Sequence, residues 1–296
     1  MTLIPRLTKP TLLIVGCGDI GLRVLRLLAG RWRVLALSSS PERFAVLRKA
    51  GAVPVFGDLD QPGTLTTLGR LANAVLHLAP PASSGVVDAR TRHLLAALAR
   101  GGRVRRLVYA STTGVYGDAD GAWINETRTT APATDRARRR VDAETQVRAF
   151  GQRTGAAVSL LRVPGIYAGD RPGGHPRERL ARGTPVLRTD EDVFTNHIHA
   201  DDLARACVAA LWRGRPQRVV NVCDDTDLRM GDYFDLAADL SGLARPPRIT
   251  RVQAATLMTP MQLSFMAESR RLGNQRLKCE LKLRLRYPTV VQGLQA

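Results

Sequence analysis

Three glycines in the segment "VGCGDIG" have the spacing of a site that could bind phosphate. Gly16, Gly18 and Gly21 follow an apolar run and precede leucines at helical spacing, in the order Gly-x-Gly-x-x-Gly. Glycines there allow a tight turn and let a pyrophosphate approach backbone N–H groups at the positive end of a helix. The segment therefore predicts a dinucleotide site, and the alternative is a glycine turn that binds nothing.

The residues after the second predicted strand bear on which dinucleotide is bound. An NAD site usually has an acidic residue there to hold the ribose hydroxyls, whereas this segment reads "LALSSSPERF". Ser38, Ser39 and Arg43 could instead donate hydrogen bonds to a 2′-phosphate. This favours NADP over NAD, unless Arg43 is only a solvated residue in the first turn of its helix. Asp58, in "FGDLD", could reach an adenine amino group or simply form a turn.

A second chemically distinctive segment is "PATDRARRRVDAE", which places four arginines within five positions. Arg136, Arg140 and Glu144 recur every four residues and share one face of a helix. Two arginines on one face could hold a carboxylate or phosphate. The alternative is a surface pair between Arg140 and Glu144, worth about 0.3–0.5 kcal/mol. Arg138 and Arg139 are expected to be solvated.

The elements that must position these residues alternate along the chain. Ser39 and Glu42 suggest a capping box for the second helix, and Gly51 its end. The alternation indicates an α/β fold with a Rossmann-type, doubly wound parallel sheet. Strands are predicted at 11–15, 33–37, 52–56, 74–78, 106–110, 158–163 and 219–223, and helices around 62–71, 86–100, 134–153, 200–214 and 230–242.

The pattern of elements loosens after about residue 164, in the Gly/Pro-rich segment "PGIYAGDRPGGHPRE". We therefore expect an NAD(P)-binding core over residues 1–165. Residues 166–296 are expected to return in part to the core sheet and to form a small C-terminal substrate-binding lobe.

The formal net charge of +18 comes almost entirely from arginine. Lysine occurs only at positions 9, 49, 278 and 282, whereas there are 40 arginines. Such an excess can mark a polyanion binder, but the arginines are scattered and aromatic residues make up only 5% of the chain. Specific nucleic-acid binding is therefore not expected, although weak adhesion to polyanions at low salt is.

Cysteine usage and the N-terminal segment predict a cytoplasmic protein without a membrane span. Cys17, Cys207, Cys223 and Cys279 lie far apart, with no Cys-x-x-Cys, which argues against a disulfide framework and a zinc knuckle. The segment "MTLIPRLTKPTLLIVG" has the pattern of neither a signal peptide nor a membrane helix. His197 and His199 would share a face of a strand but lack a third metal ligand, so no metal is expected.

Together, "VGCGDIG", "GDLD", "LVYASTTGVYGD", "LRVPGIYAGDRPG" and "NHIHADDLARA" resemble the extended short-chain dehydrogenase/reductase superfamily, NAD-dependent epimerase/dehydratase group. The likeness covers residues 11 to about 225, and the C-terminal segment is similar to that of bacterial epimerase-like members. It implies a cofactor site, with Thr112 in the position of the family's catalytic Ser or Thr. The implied cofactor contacts, with those already named, also include Asp19, Ile20, Leu59, Leu78, Ala79, Ser111 and Pro164.

The family's Tyr-x-x-x-Lys pair is replaced in this chain. In the family a Glu follows the lysine by four residues, so Glu144 assigns the lysine position to Arg140 and the tyrosine position to Arg136. No tyrosine lies between Tyr116 and Tyr167, and no lysine between 49 and 278, so a shifted register cannot restore the pair. Arginine keeps its proton, with a pKa above about 12, and cannot take over proton transfer.

Two functions remain open at this point. One is an atypical NAD(P)-dependent oxidoreductase or epimerase/dehydratase-like enzyme acting on a small anionic or sugar-nucleotide-like substrate. The other is a catalytically inactive NAD(P)-binding redox sensor or partner-binding protein. If turnover occurs, Thr112, Arg136, Arg140 and Tyr116 are the candidate catalytic residues, and the protein is expected to be a monomer or a homodimer. Further candidates for the proton donor, without supporting spacing, are Tyr167, Asp118, Glu126 and His199.

Overall fold

The structure, a computed structural model, describes residues 9–296. The expectation about the N-terminal segment rests partly on residues 1–8, which lie outside the described residues. Within 9–296, no helix combines the length and the apolar character needed to cross a bilayer.

A seven-stranded parallel sheet organises the fold. Its strands are β1 (Thr11–Val15), β2 (Arg33–Ser38), β3 (Val53–Phe56), β4 (Ala74–His77), β5 (Arg106–Thr112), β7 (Ala157–Val163) and β12 (Arg218–Asn221). Their order in the sheet is β3-β2-β1-β4-β5-β7-β12, and β1 pairs with both β2 and β4. The order reverses between β1 and β4, the place where doubly wound sheets bind their ligands.

Short strands form four two-stranded sheets besides the main one in the described chain. These strands are β6 (Trp123–Ile124), β8 (Gly165–Tyr167), β9 (Val186–Leu187), β10 (Phe194–Thr195), β11 (His197–His199), β13 (Leu228–Arg229), β14 (Arg248–Ile249) and β15 (Arg271–Leu272). The pairs are β6 with β15, β8 with β11, β9 with β14, and β10 with β13.

Helices follow most strands of the main sheet, as a parallel sheet requires. The α-helices are α1 (Asp19–Leu28), α2 (Phe44–Lys49), α3 (Ala89–Gly101), α4 (Asp135–Thr154), α5 (Arg177–Ala181), α6 (Ala200–Arg213), α7 (Met230–Ser241), α8 (Arg251–Leu257), α9 (Pro260–Met266), α10 (Gln275–Cys279) and α11 (Val290–Leu294).

The chain falls into two compact units, each built from separate stretches of sequence. Unit 1 comprises the described part of Met1–Ala110 with Asp142–Leu160 and Cys207–Arg218, and unit 2 comprises Ser111–Val141, Leu161–Ala206 and Val219–Ala296. The expected division at residue 165 stays a prediction about domain organisation.

Each unit has its own apolar core. In unit 1, Leu12, Leu13 and Ile14 of β1 and Leu28 of α1 are almost fully buried. Unit 2 has a cluster of buried apolar side chains that includes Val186, Phe234 and Met266, and a smaller one around Tyr116 and Leu272. The continuous apolar runs of the central strands match strands buried on both faces.

The predicted α/β fold and all seven predicted strands are confirmed, but the predicted helix at 62–71 is wrong. That stretch forms two short 3₁₀ helices, Pro62–Leu65 and Leu68–Arg70. Two glycines lower its helix propensity, and Gly69 lets α3 approach closely, since a Cβ there would lie 2.5 Å from the carbonyl oxygen of Ala97. The predicted cap of the second helix also shifts, because Ser40 rather than Ser39 precedes the helical turn.

Candidate functional site

The glycine loop of unit 1 joins β1 to α1, and each of its glycines has a separate structural reason. Gly16 has φ +84°, and a Cβ there would collide with the backbone of Ala79. A Cβ on Gly21 would lie 2.9 Å from Cys17 Sγ and 3.5 Å from Ile14, so this glycine lets the helix pack closely on the strand. Gly18 faces open space, with nothing within 4 Å of an added Cβ.

The open side of the loop lies at the N-terminus of α1, where backbone N–H groups and the helix dipole favour an anion. The loop is closed on itself by a hydrogen bond from Gly18 N to Gly16 O, at 2.8 Å. Asp19 begins the helix and accepts a hydrogen bond from the buried Arg23 at 3.1 Å, and Ile20 is buried. This cradle, which a side chain on Gly18 would fill, fits the pyrophosphate of a dinucleotide.

Arg43 lies against the glycine loop. Its Nη2 donates a hydrogen bond of 2.8 Å to the carbonyl oxygen of Cys17, 26 residues earlier, and the guanidinium is otherwise exposed. Burial raises the pKa of the Cys17 thiol to about 11, against the opposing effect of the Arg43 charge. The guanidinium is thus a fixed positive charge beside the loop. Ser38 forms a local turn with the backbone of Ser40, at 3.2 Å, and Ser39 is exposed.

The ends of β3 and β4 supply the other predicted contacts of unit 1. Asp58 is half-buried, its carboxylate accepts a hydrogen bond from Asp60 N at 2.9 Å, and Leu59 is buried beside it. Leu78 and Ala79 follow β4, and the N–H groups of both donate to Val15 O, at 2.8 and 3.0 Å. Unit 1 therefore brings together the ends of β1, β2, β3 and β4 that the sequence assigned to the cofactor.

Arg90, near the start of α3, is a residue that the sequence did not indicate. It forms a bidentate ion pair with Asp60, at 2.8 and 2.5 Å, and approaches the carbonyl oxygens of Pro80 and Pro81. It thereby ties the loop after β4 to the loop after β3. The sequence offers only one weak signal for this role of Arg90, which is its place at the end of the loop segment "APPASSGVVDAR".

In unit 2, β5 ends in the hydroxyl cluster "STT". Ser111 and Thr113 are buried, whereas Thr112 is half-buried and its Oγ1 accepts a hydrogen bond of 3.3 Å from Gly114 N. Among the described residues no acceptor takes the Thr112 hydroxyl proton. This hydroxyl can therefore donate to a ligand. Pro164 follows β7 and is half-buried.

Tyr116 occupies the core of unit 2. Its side chain is fully buried, its hydroxyl donates to Asn221 Oδ1 at 2.7 Å, and the guanidinium of Arg162 lies 4.5 Å from the ring centre. Glu126 is buried nearby and accepts from Asn221 N at 3.0 Å, with Arg276 Nε 3.5 Å from its other oxygen. These bonds favour a structural role for both residues over proton transfer.

The arginines of "DRARRR" differ in exposure. Arg136 is exposed, and its guanidinium carbon lies 4.8 Å from the ring centre of Phe265. Arg140 is half-buried and interacts with other residues of the protein. Arg138 is exposed and pairs with Asp135 at 2.7 Å. The expectation that Arg139 is solvated is wrong, because its side chain is packed into the unit and only 7% exposed.

The histidines of "NHIHADD" belong to a buried aromatic cluster in unit 2. His197 stacks on Tyr233, with ring centres 4.1 Å apart, and Tyr167 lies edge-on to His199 at 5.3 Å. Burial lowers the pKa of His197 to about 3, so the ring is neutral. This packing favours a structural role for both histidines and for Tyr167.

Asp224 is a buried carboxyl beside the same cluster. Burial raises its pKa to about 7, against hydrogen bonds from Thr226 that lower it. The Tyr167 hydroxyl lies 3.4 Å from Asp224 Oδ2. Across residues 9–296, no group of three or more His, Cys, Asp or Glu side chains could hold a metal ion.

Comparison with known proteins identifies the family that this chain matches. The model of the NAD dependent epimerase/dehydratase family matches residues 12–223. Protein YeeZ of Escherichia coli K12 is 28% identical over 144 residues, which are 49% of each protein. The chain thus aligns with about half the length of YeeZ and with smaller shares, 35% and 24%, of two plant sugar-nucleotide enzymes that it also matches.

Solved structures are similar over nearly the whole chain. A functionally unknown conserved protein from Silicibacter pomeroyi DSS is 33% identical, with 97% of each chain covered and a TM-score of 0.79. The UDP-glucose 4-epimerase of Thermotoga maritima, solved with UDP-glucose, shares the fold at 18% identity, with 96% of each chain covered and a TM-score of 0.78. With the family model covering most of its length and the glycine cradle in place, the chain belongs to the NAD-dependent epimerase/dehydratase family.

Proposed function

We propose that the protein is an atypical NAD(P)-dependent oxidoreductase or epimerase/dehydratase-like enzyme that acts on a small, anionic or sugar-nucleotide-like substrate. The observation that carries the proposal is the glycine loop, which has the features that a dinucleotide site needs. Gly16 has a positive φ and lies close to the Ala79 backbone, Gly21 lets the helix pack closely on the strand, and Gly18 faces open space. A substrate with a diphosphate is also in keeping with the UDP-glucose bound by the Thermotoga maritima epimerase.

The chemistry is divided between cofactor and protein. The nicotinamide, when bound, supplies or accepts the hydride. The Thr112 hydroxyl, whose oxygen accepts from Gly114 N, donates a hydrogen bond to the substrate carbonyl. This bond stabilises the negative charge that develops on the carbonyl oxygen. Arg136 and Arg140 hold the substrate's anionic group, and because they stay protonated they orient it rather than exchange protons with it.

NADP is the proposed cofactor, with NAD as the alternative. The end of β2 carries Ser38 and Ser39 where a ribose-binding carboxylate would stand, and Arg43 adds a positive charge held against the loop by Cys17 O. A 2′-phosphate gains a charge-assisted hydrogen bond from such a guanidinium, whereas NAD gains nothing comparable.

Titration of the purified protein with NADPH and NADH, followed by nucleotide fluorescence, tests the cofactor assignment. Arg43→Ala is expected to weaken NADPH binding by roughly tenfold or more and to leave NADH binding nearly unchanged. Arg48→Ala is the matched control, because Arg48 is an exposed arginine of the next helix whose guanidinium lies over Phe44, 5.8 Å from the ring centre. Absence of binding for both nucleotides would overturn the proposal, and equal loss for both would remove the NADP preference.

The alternative function is an NAD(P)-binding redox sensor or partner-binding protein without catalysis. It is favoured by the arginines at both positions of the Tyr-x-x-x-Lys pair and by the burial of Tyr116, which keeps the nearest tyrosine in sequence engaged with Asn221. Single-turnover mixing of NADPH-loaded protein with a panel of aldehydes, ketones and nucleoside-diphosphate sugars separates the two. Hydride transfer that Thr112→Val slows supports the enzyme, and tight NADPH binding without transfer to any member supports the sensor.

The proposal also covers the cellular location and the oligomeric state of the protein. All four cysteines are free, which suits a reducing compartment, and we place the protein in the cytoplasm. A monomer and a homodimer remain the two expected states, which light scattering at micromolar concentration distinguishes.

A further inference from the structure

Helix α9 in unit 2 carries apolar side chains on two sides. Leu263 and Met266 face inward and pack with the core cluster of the unit, and Met266 is only 3% exposed. Met261 and Phe265, four residues apart on another side, are 66% and 51% exposed. The outer side of α9 thus presents two apolar side chains that neighbour each other one helical turn apart.

The exposed face is held in a fixed position. Thr259 caps α9 in a capping box with Gln262, and Pro260 stands at the first helical position. Arg251, at the start of α8, donates a hydrogen bond of 2.9 Å to the carbonyl oxygen of Met266 at the end of α9. Met261 and Phe265 therefore stand on a preorganised surface rather than on a loose loop.

A positive charge lies at the edge of this face. The guanidinium of Arg136 is 4.8 Å from the ring centre of Phe265, and Arg136 has no ion pair or hydrogen bond with the described residues. A guanidinium that lies over a ring still has its N–H donors in the guanidinium plane. Those donors match the two oxygens of a carboxylate.

We infer that Arg136, Phe265 and Met261 form a binding site for a carboxylate with an apolar body, such as an aryl- or alkyl-carboxylic acid. The carboxylate pairs with Arg136, and the apolar body covers Phe265 and Met261. These two side chains offer neither hydroxyl, amide nor charge, so they gain free energy by covering apolar surface and not by hydrogen bonding. The inference rests on the proposed function, because it names the substrate class of the site that contains Arg136.

Binding of phenylacetate to the full-length protein, in the presence of NADPH, tests the site. We expect saturable binding by calorimetry, and binding of the neutral isostere phenylacetamide that is roughly tenfold weaker or worse, since it lacks the charge that pairs with Arg136. Equal binding of the acid and the amide, or no saturation below about 10 mM phenylacetate, would overturn the inference.

Matched variants assign the binding to these side chains. Arg136→Ala and Phe265→Ala should each weaken phenylacetate about tenfold, with a smaller loss for Met261→Gln. Arg138→Ala, an exposed arginine of the same helix, and Val53→Ser, an exposed apolar side chain of unit 1, should leave it unchanged. Wild-type affinity in Phe265→Ala would contradict the assignment.

Two readouts keep this inference separate from the rest. NADPH binding in the same samples reports on the proposed function, so loss of phenylacetate binding with intact NADPH binding overturns the substrate class alone. Light scattering reports on the competing occupant of the apolar face, a second copy of the chain. A wild-type dimer that Phe265→Ala converts to a monomer would show that the face is an interface and would overturn the ligand site.

Discussion

The glycine loop of unit 1 and the arginine-bearing start of α4 in unit 2 are restricted in different ways. The loop has all three glycines of the Gly-x-Gly-x-x-Gly spacing, whereas α4 carries Arg136 and Arg140 and contains neither tyrosine nor lysine. Gly16 is fixed by its φ of +84° and by the backbone of Ala79, so replacement there would disturb the fold itself. Arg136 is exposed, so the residue at that position can change without cost to the core.

This difference teaches that the two segments are under separate constraints. The loop is shaped by its backbone, and its sequence is restricted by sterics. Arg136 is an exposed side chain, so packing restricts the residue at that position far less. The residue at position 136 can therefore be exchanged for one of different chemistry while the glycine loop is kept.

Gly16→Ala is expected to have the largest effect on folding stability. It tests whether sterics restrict the sequence of the glycine loop. The alanine must adopt a left-handed conformation and its Cβ meets the Ala79 backbone, so we expect destabilisation by about 3–5 kcal/mol. Gly63→Ala is the control, because nothing lies within 4 Å of an added Cβ there. Thermal unfolding measures both, and similar melting temperatures for the two variants would break the distinction.

Asp224→Asn, a substitution in unit 2, should change the folding stability by an intermediate amount that depends on pH. The folded pKa of Asp224, about 7, lies above the unfolded value of about 4, so the folded state binds the proton more tightly. Its contribution to stability is present at low pH and is lost as the pH rises through 7. Asparagine has no charge to bury and can still accept the hydrogen bond from Thr226 N.

The melting temperature of Asp224→Asn relative to the wild type should therefore rise by several degrees, at roughly 2–4 °C per kcal/mol, between pH 5 and pH 8. Asp190→Asn, a change at an exposed carboxylate, should show no such trend. Parallel pH curves for Asp224→Asn and the wild type would show that Asp224 titrates as an ordinary carboxyl.

Arg90→Ala should have the smallest effect on stability. It tests whether the loops after β3 and β4 must be held together for NADPH to bind. Its ion pair with Asp60 is largely exposed, so we expect a loss of less than about 1 kcal/mol of folding free energy. Because Arg90 ties the loops after β3 and β4 together, NADPH affinity should fall more than stability does. Fluorescence titration measures the NADPH affinity and thermal unfolding measures the stability of the same preparation. Unchanged NADPH affinity in Arg90→Ala would show that Arg90 does not order the loops for the cofactor.

The sequence predicted the parts of the molecule that depend on local pattern. The seven sheet strands and the glycine loop are contiguous apolar runs and a short motif, and all are confirmed as elements of the fold. The single helix predicted at 62–71 was wrong, because Gly63 and Gly69 weaken its helix propensity and the segment forms two short 3₁₀ helices. The close approach of Ala97 to Gly69 is a contact between distant residues that no local pattern shows.

The site contacts that sequence reasoning missed join distant residues. Arg43 reaches Cys17 O across 26 positions, and Arg136 meets Phe265 on a helix that lies far along the chain. The burial of Arg139 is likewise set by packing, since its neighbour Arg138 in the same charged run is exposed. Residue type gave the chemistry of these side chains, and only the fold gave their neighbours.

The most direct measurement is the dissociation constant of NADPH for the wild type, Gly18→Ala and Arg136→Ala, determined side by side. Gly18 faces open space, so its variant should fold normally and bind NADPH at least about tenfold more weakly, because the added methyl group occupies the cradle. Arg136→Ala should bind NADPH like the wild type. Wild-type affinity in Gly18→Ala, or an equal loss in both variants, would contradict a cofactor site built in the glycine loop and independent of the arginines of α4.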